Sequence, residues 1–290
     1  MVILGPRKKT FSMTNNRVNK LRFSKKSSSD KIIFTSYSKR NFYLRSDISA
    51  FILNAGRTPI SPFMNFDYNM AGLVDKNLIR VANNTMLKKS DEIWIFGEIS
   101  DEVLIEIYLA KRLNKPIHFF KKIDGEKFEE VRQDSVILED VSSWLWDWVK
   151  EDKVLERWHP RLRFKKSYPL VYPAYSKRNF YWQMHISQFC LEKKRVPLNP
   201  FMLFRYFLGD SVSREGVYRA NSNIVEISDE LWIFGEISDG VLDEIKIIKE
   251  RGGRIKYYKI TKSNPVVFRQ ISAKSAKFED ENLEKYRHLL

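Results

Sequence analysis

The feature that most constrains this chain is an internal duplication. Residues 31–122 align with residues 169–260 at a constant offset and without a gap, and roughly 40 of the 89 positions from Phe34 onward are identical. A unit of about 90 residues is too long for a solenoid repeat and has the size of a small domain. The segments that follow are a basic arm at 1–30, a first repeat at 31–123, a Trp-rich helical linker at 124–168, a second repeat at 169–261 and a tail with a helix at 262–290.

The positive charge of the chain is concentrated at its start. The formal net charge is +15, and residues 1–30 hold eight Lys or Arg against the single acidic Asp30. A Ser/Asn-rich arm of this composition is predicted to be disordered. Two interpretations remain open, because such an arm can contact nucleic acid weakly through phosphate charge alone or can be a solvated tail.

Composition excludes several classes of protein. No run of about 18 apolar residues is present, and the first residues lack the pattern of a signal peptide, so we expect a soluble cytoplasmic protein without membrane contact. Cys190 is the only cysteine and lies in an apolar helical pattern, which favours a packed thiol over a nucleophile. Four unclustered His, no Walker loop and no Gly-rich dinucleotide motif predict neither a metal site nor an organic cofactor.

Each repeat alternates strand-like with helix-like segments. Apolar runs at Ile32–Thr35 and Leu170–Tyr172 begin the repeats, and the sequences ELWIFG and IKYYKI supply later strands, with amphipathic segments between them. Strands separated by single helices imply a parallel sheet. We therefore predict an α/β chain of two tandem Rossmann-like (flavodoxin-like) domains, each with a parallel sheet flanked by helices.

Between the repeats lies a segment rich in tryptophan. Helical spacing places Trp144, Leu145, Trp148 and Val149 on one side of a helix and Trp146 on the other. We expect this aromatic cluster to be core that helps to dock the halves, rather than a ligand cage. The halves would then form an internal pseudo-dimer about a twofold axis, with further homo-oligomers left open.

A candidate ligand site lies in two loops of each repeat. Ligands of open parallel sheets bind beyond the carboxyl ends of the strands. The YSKRNFY loop follows the first strand and the GEISD turn follows ELWIF, so the two should converge. Ser238 or Asp239 can cap the next helix, which places Glu244 in its second turn. Taken alone, Glu244 also fits an edge position on a surface helix, favoured by the helix dipole.

The order of elements and several motifs resemble the nucleoside 2-deoxyribosyltransferase superfamily, which includes deoxynucleotide N-glycosidases. The resemblance rests on an aromatic residue that ends the first strand, paired prolines after the second strand, and Asp-Gly followed four residues later by Glu. It covers about 90 residues, twice. The usual turn of that family is Asp-x-Gly-Thr-x-x-Glu, whereas Ser238 stands here at the Asp position and Val241 at the Thr position.

The resemblance implies roles for the second repeat. Glu244 would be a nucleophile that attacks the anomeric carbon, and water or a second base would resolve the glycosyl intermediate. A carboxylate suits this reaction because it stabilises oxocarbenium-like charge. The substrate-binding residues implied or expected beside it are Tyr175, Lys177, Arg178, Asn221, Ser238, Asp239 and Gly240. Within that set, Gly240 would admit the sugar and the two basic residues would bind a 5′-phosphate; a solvated basic turn is the alternative for them.

The first repeat departs further from the family pattern. Glu102 replaces the glycine and brings a charge to the position of the sugar, so we expect this copy to be impaired or structural. It nevertheless retains the catalytic match Glu106 and the site residues Tyr37, Arg40, Asn83 and Asp101.

Three hypotheses for function follow. The first is cleavage of a nucleoside or nucleotide N-glycosidic bond, or 2-deoxyribosyl transfer, through a Glu nucleophile. The second is a non-catalytic protein that binds a nucleotide-derived ligand or a partner through the same loops. The third is a nucleic-acid-binding protein that uses the arm.

Overall fold

The structure is a computed structural model that describes residues 30–125, 127–140, 143–151, 155, 159–164, 166–205, 208–261 and 265–290. The basic arm, apart from Asp30, lies outside the described residues. None of the described helices is long and apolar enough to cross a membrane.

The first half contains five strands and six α-helices among its described residues. The strands are β1 (Ile32–Tyr37), β2 (Thr58–Ile60), β3 (Glu92–Phe96), β4 (Ile117–Asp124) and β5 (Lys127–Val131). The helices are α1 (Arg45–Asn54), α2 (Pro62–Asn65), α3 (Asp67–Leu73), α4 (Lys76–Lys89), α5 (Asp101–Arg112) and α6 (Ser143–Lys150). Short 3₁₀-helices span Lys39–Leu44, Gln133–Ser135 and Pro160–Arg163.

The second half repeats this order. Its strands are β6 (Leu170–Ala174), β7 (Val196–Pro197), β8 (Glu230–Phe234), β9 (Arg254–Thr261) and β10 (Val267–Ile271). Its helices are α7 (Gln183–Glu192), α8 (Pro200–Leu203), α9 (Leu208–Ser211), α10 (Arg214–Ile227) and α11 (Asp239–Glu250). Its 3₁₀-helices span Lys177–Trp182, Ala273–Ser275 and Glu281–Leu289.

Each half forms one five-stranded sheet. The strand orders are β2-β1-β3-β4-β5 and β7-β6-β8-β9-β10, and all pairings are parallel except the last in each sheet. This is the flavodoxin-like order 2-1-3-4-5, which reverses direction between the first and third strands. The structure therefore confirms the predicted fold of two tandem Rossmann-like domains with mostly parallel sheets.

The sheets extend beyond the predicted ends of the repeats. β5 and β10 each add an antiparallel edge strand, and a single bridge then joins the GEISD turn to the following segment, at Ile99–Leu138 and at Ile237–Phe278. A helix follows each bridge. The duplicated unit thus includes the beginning of the segment predicted as a linker and most of the tail.

The motif Ser-Asp-Glu before the third strand of each sheet is explained by packing at its amino end. In the second half, Asp229 accepts a hydrogen bond from the backbone N–H of Leu170 (2.8 Å). Glu230 is fully buried and accepts from the Trp232 indole (2.7 Å) and from Arg195 (3.0 Å). Burial alone would raise the pKa of Glu230. The hydrogen bonds from Trp232 and Arg195 have the larger combined effect, so the pKa lies below its ordinary value.

The two halves pack against each other through equivalent elements. α1 contacts α10, and their counterparts α7 and α4 contact each other, while α2 contacts α8. Such reciprocal contacts are those of a twofold-related pair. Polar groups cross this contact in the interior, because Asn65 donates to the carbonyl of Pro197 (2.6 Å) and accepts from the N–H of Asn199 (3.1 Å). Apolar residues of both halves join in one continuous core.

The predicted face of the Trp-rich helix is wrong. Leu145, Trp146 and Val149 are buried, whereas Trp144 and Trp148 stack edge-to-face on the exposed side. Residues four apart share a face, and the three buried positions fall within about 100° of one another. This helix packs on α5 of the first half, so its tryptophans extend the first domain.

Candidate functional site

The candidate site of each half lies where strand order reverses. There the first and third strands end, and the YSKRN loop meets the glycine of the GEISD turn. Gly235 has φ of +81°, and a Cβ atom placed on it would lie 2.5 Å from the Asn179 side-chain nitrogen; Gly97 and Asn41 repeat this contact at 2.6 Å with φ of +74°. A glycine is required at both turns because of backbone conformation and of contact with the asparagine. The predicted convergence of the two loops is confirmed.

The tyrosine that begins the YSKRN loop packs into the interior. The Tyr175 hydroxyl donates to Asn199 Oδ1 (2.7 Å), and Tyr37 shares a hydrogen bond with Ser61 (2.9 Å). Burial raises the pKa of both hydroxyls well above the ordinary value. Neither tyrosine makes a hydrogen bond to the glutamate of its repeat. Both instead anchor the start of the loop to the residue before the next short helix, Ser61 or Asn199.

The basic residues of the loop point away from the core. Arg178 forms an ion pair with Glu279 (2.5 Å), and Arg40 forms ion pairs with Glu139 (3.8 Å) and Asp140 (2.5 Å). Each arginine is therefore held by the acidic segment that follows the edge strand. Lys177 is exposed and makes no ion pair with a described residue.

The start of α11 is open to solvent. Ser238 caps the helix by accepting from the N–H of Val241 (3.5 Å), while Asp239 and Gly240 are exposed. A Cβ atom on Gly240 would have Ser238 Oγ as its nearest neighbour, 4.0 Å away. Space for a ligand is present here, and so is space for a side chain.

The corresponding turn of the first repeat carries charge. Asp101 and Glu102 are both exposed. The Glu102 carboxylate lies 3.6 Å from the ammonium group of Lys39. The extra carboxylate therefore turns toward the YSKRN loop and neutralises a lysine whose counterpart in the second repeat is unpaired among the described residues.

Glu244 points from α11 toward the sheet. The Tyr172 hydroxyl donates to its Oε1 atom (2.6 Å), and its Oε2 atom is buried with no hydrogen-bond partner among the described residues. Burial, aided by the charge of Asp243, raises the pKa of Glu244 to about 8, although the Tyr172 hydrogen bond lowers it. The carboxyl group is consequently mostly protonated at pH 7.

Glu106 occupies the matching position in the first half, and both of its carboxylate oxygens accept hydrogen bonds. Its Oε1 atom accepts from Arg161 (2.6 Å) and its Oε2 atom from the Ser36 hydroxyl (2.5 Å). Arg161 and Glu106 are only 4% and 7% exposed. Arg161 also donates from Nε to Asn84 Oδ1 (2.7 Å). Both carboxylate oxygens of Glu106 are therefore engaged by buried donors, and the Arg161 side chain fills the space beside them.

The paired asparagines lie on α4 and α10, which are not the helices that carry the two glutamates. Asn83 and Asn221 are half-buried, and the Oδ1 atom of each has no partner among the described residues. No hydrogen bond joins Asn221 to Glu244 or Asn83 to Glu106. Their unsatisfied oxygens nevertheless leave an acceptor for a ligand or water in each half.

Tyr172, Ser36 and Arg161 were missed by the sequence reasoning. One signal pointed to Tyr172: the first repeat has Phe34 at the matching position, so a hydroxyl appears in one copy alone. Ser36 likewise has Ala174 at the matching position of the second repeat. Arg161 lies outside the aligned repeats, and no pattern in the sequence connects it with Glu106.

A surface cavity of about 420 Å³ lies elsewhere, between the end of α11, β9, β10 and the chain end at Leu290. Lys249, Lys256 and Tyr257 are among its lining residues, and Glu244 is not. Among the described residues, no group of three or more His, Cys, Asp or Glu is placed to hold a metal ion.

Residues 172–258 match a family described as a domain of unknown function, DUF7768. The matched segment begins at Tyr172, contains Glu244 and ends within β9, so it takes in both members of the carboxyl–hydroxyl pair. No curated protein matches the chain.

Proposed function

We propose that the second repeat cleaves or transfers the N-glycosidic bond of a nucleoside or nucleotide, with Glu244 as nucleophile. The observation that supports this proposal is the state of the Glu244 carboxyl: Oε1 is held by Tyr172, while Oε2 is buried without a described partner. A carboxyl group oriented through one oxygen keeps the other for a ligand. The proposal also depends on the resemblance in the turn before α11.

The reaction proceeds in two steps. Glu244 Oε2 attacks the anomeric carbon, the carbon–nitrogen bond breaks, and its electron pair leaves with the base, which takes a proton from solvent. Water then attacks the glycosyl ester to release the sugar, or a second base attacks it to give a new nucleoside. The developing positive charge on the sugar ring is stabilised by the carboxylate, and low local polarity strengthens that attraction.

The raised pKa of Glu244 sets the pH dependence of this reaction. Only the ionised carboxylate is a nucleophile, and the pKa is about 8. We expect the rate of base release under kcat/KM conditions to increase about tenfold per pH unit below pH 8 and to level off above it. A rate that does not change between pH 6 and pH 8 would contradict a role for this carboxylate as the nucleophile.

Two surface groups are assigned to the substrate. Lys177 is exposed and unpaired among the described residues, so it is the proposed contact for a 5′-phosphate, while Arg178 is already paired with Glu279. Asp239 is exposed at the helix start and is the proposed contact for sugar hydroxyl groups. We place the reaction in the cytoplasm on the sequence grounds given above.

The experiment is a panel of nucleosides and deoxynucleotides, incubated with the full chain and analysed by chromatography for free base. Glu244→Gln keeps the size of the side chain and an acceptor for Tyr172, and should abolish release. Asp243→Asn is the matched control, because Asp243 is the adjacent carboxylate on the same helix and pairs with Lys246 (3.2 Å). Its charge contributes to the raised pKa of Glu244, so this variant should still release base, with its pH profile shifted to lower pH. Activity that survives in Glu244→Gln, or is lost equally in Asp243→Asn, rejects the assignment.

A second candidate is a protein that binds a nucleotide-derived ligand without turnover. It is favoured by the largely protonated state of Glu244 at pH 7, in which the carboxyl group donates and accepts hydrogen bonds but does not attack. Calorimetry distinguishes the two. Saturable binding of a nucleotide that depends on Glu244, with no base released over hours at pH 8.5, would favour this second candidate.

A further inference from the structure

In the first repeat, the space beside the Glu106 carboxylate is filled by the side chain of Arg161. Arg161 lies in the 3₁₀-helix Pro160–Arg163, which is outside the duplicated unit, and its guanidinium enters the first half from there. Its NH1 group donates to Glu106 Oε1 at 2.6 Å, and its side chain is 4% exposed. The occupant is thus a planar cation, fully withdrawn from water.

The walls of this pocket come from elements of the repeat itself. Ser36 lies near the carboxyl end of β1, Glu106 on α5 and Asn84 on α4. Asn84 accepts from Arg161 Nε (2.7 Å) and donates to the Arg161 carbonyl (3.0 Å), so the linker is fastened at both side chain and backbone. Repeat elements form the cavity, and a non-repeated segment fills it.

The guanidinium is not fully satisfied in this pocket. The NH2 atom of Arg161 is buried and has no hydrogen-bond partner among the described residues. A guanidinium has five N–H donors, so the buried NH2 group can still donate to a further acceptor. The pocket therefore fits a planar cation at one edge and leaves the other edge free.

The second repeat has the same carboxyl group without such an occupant. Glu244 keeps a buried Oε2 atom without a described partner, and Ser222 stands where Asn84 stands in the first half. The carboxyl group is common to both pockets. Among the described residues, the cation and the asparagine that binds it occur in the first pocket alone.

We propose that the pocket around Glu106 is a binding site for a small planar cation, and that the linker closes it with the chain's own Arg161. This site would accept guanidinium or amidinium groups in place of the arginine side chain. The inference stands on the contacts of Arg161 and does not need the reaction proposed for Glu244. If that reaction occurs, the guanidinium charge stands where positive charge develops on the sugar, and the linker keeps the first repeat out of catalysis.

The test is replacement of the internal cation by an external one. Arg161→Ala removes the guanidinium and should lower the melting temperature of the full chain. Methylguanidinium at low millimolar concentration should then restore at least half of the loss, saturably and with one site per chain by calorimetry. Sodium chloride at equal ionic strength should not. The double variant Arg161→Ala/Glu106→Gln should bind no methylguanidinium.

Arg195→Ala is the matched control. Arg195 also pairs with a buried carboxylate, Glu230, but that carboxylate keeps Arg254 and Lys256 as further cations. It should show no saturable recovery with methylguanidinium.

Three results would overturn the proposal: no saturable binding to folded Arg161→Ala, equal recovery in the double variant, or equal recovery in Arg195→Ala. If Arg161→Ala does not fold alone, it should refold in methylguanidinium and not in salt; failure in both also overturns it. The nucleoside panel has a separate readout, so either proposal can fail without the other.

Discussion

Glu244 should make the stability of this protein depend on pH in a way that one substitution removes. Its pKa is about 8 in the folded protein and 4.5 ordinarily. Between these values the folded chain retains a proton that the unfolded chain has lost. Unfolding then releases a proton, so stability is greatest below about pH 4.5, falls as pH rises and levels off above about pH 8.

The size of the effect follows from the shift. A pKa difference of this size corresponds to about 4 kcal/mol between pH 5 and pH 9, at about 1.4 kcal/mol per pKa unit. Glu244 is half-buried as a whole residue, so solvent reduces this value, and we expect about 2 kcal/mol. Glu244→Gln keeps an acceptor for Tyr172 and carries no proton to lose. It should resemble the wild type at pH 5 and be more stable by about 2 kcal/mol at pH 9.

The assay is urea denaturation of both proteins at pH 5 and pH 9, followed by tryptophan fluorescence and circular dichroism. Other titrating groups are common to both proteins and cancel in the comparison. Glu106→Gln is the contrasting variant, because it strands the buried charge of Arg161 and should cost about 3 to 5 kcal/mol at both pH values. Parallel pH profiles for the wild type and Glu244→Gln would show that Glu244 ionises as if in water, and would refute the reasoning.

Three further predictions concern the framework. Gly235→Ala should lower stability by about 2 to 4 kcal/mol, because it combines a φ of +81° with a Cβ contact of 2.5 Å to the loop asparagine, whereas Gly240→Ala should change it by less than about 1 kcal/mol; the melting temperature distinguishes them. Asn65→Leu introduces the residue of the second repeat but strands a buried N–H and a buried carbonyl between the halves, and should cost about 2 to 4 kcal/mol in chemical denaturation. Trp146→Ala should cost about 3 to 5 kcal/mol, whereas Trp148→Ala on the exposed face should cost less than about 1 kcal/mol, which a denaturant titration would measure; equal losses would contradict the observed helix face.

The architecture could be predicted because it depends on patterns that repeat along the chain. The alternation of strand-like and helix-like segments predicted the parallel sheets. The gap-free duplication predicted two domains, and the sequence ELWIFG predicted a strand that ends in a turn. The buried face of the Trp146 helix was predicted incorrectly because five apolar positions on an eight-residue helix fit more than one face. Only the neighbouring surface of α5 decides between them.

The position of Glu244 near the carboxyl ends of the strands could be predicted from the sequence, but the hydrogen-bond and ion-pair partners of the two glutamates could not. The turn before Glu244 follows from strand order. The hydrogen-bond partner of each glutamate depends on which strand residue packs against the helix. The Tyr172 hydroxyl binds one oxygen of Glu244, whereas the Ser36 hydroxyl binds the oxygen of Glu106 that Arg161 does not. The cation that neutralises Glu106 comes from 55 residues further along the chain. Its approach depends on tertiary packing, for which a single sequence has no local signal.

The glutamate is present in both repeats, but the residues that form hydrogen bonds or ion pairs with it differ. In the first, the hydroxyl partner comes from Ser36 and a guanidinium completes the neutralisation, so both carboxylate oxygens are engaged. In the second, the hydroxyl comes from Tyr172, two positions earlier along the equivalent strand and on the same face, and one oxygen is left over. Only the second carboxyl group can still form a new bond without breaking an ion pair. The proposed reaction is therefore placed in the second copy, because breaking the buried pair in the first copy would cost several kcal/mol before any reaction began.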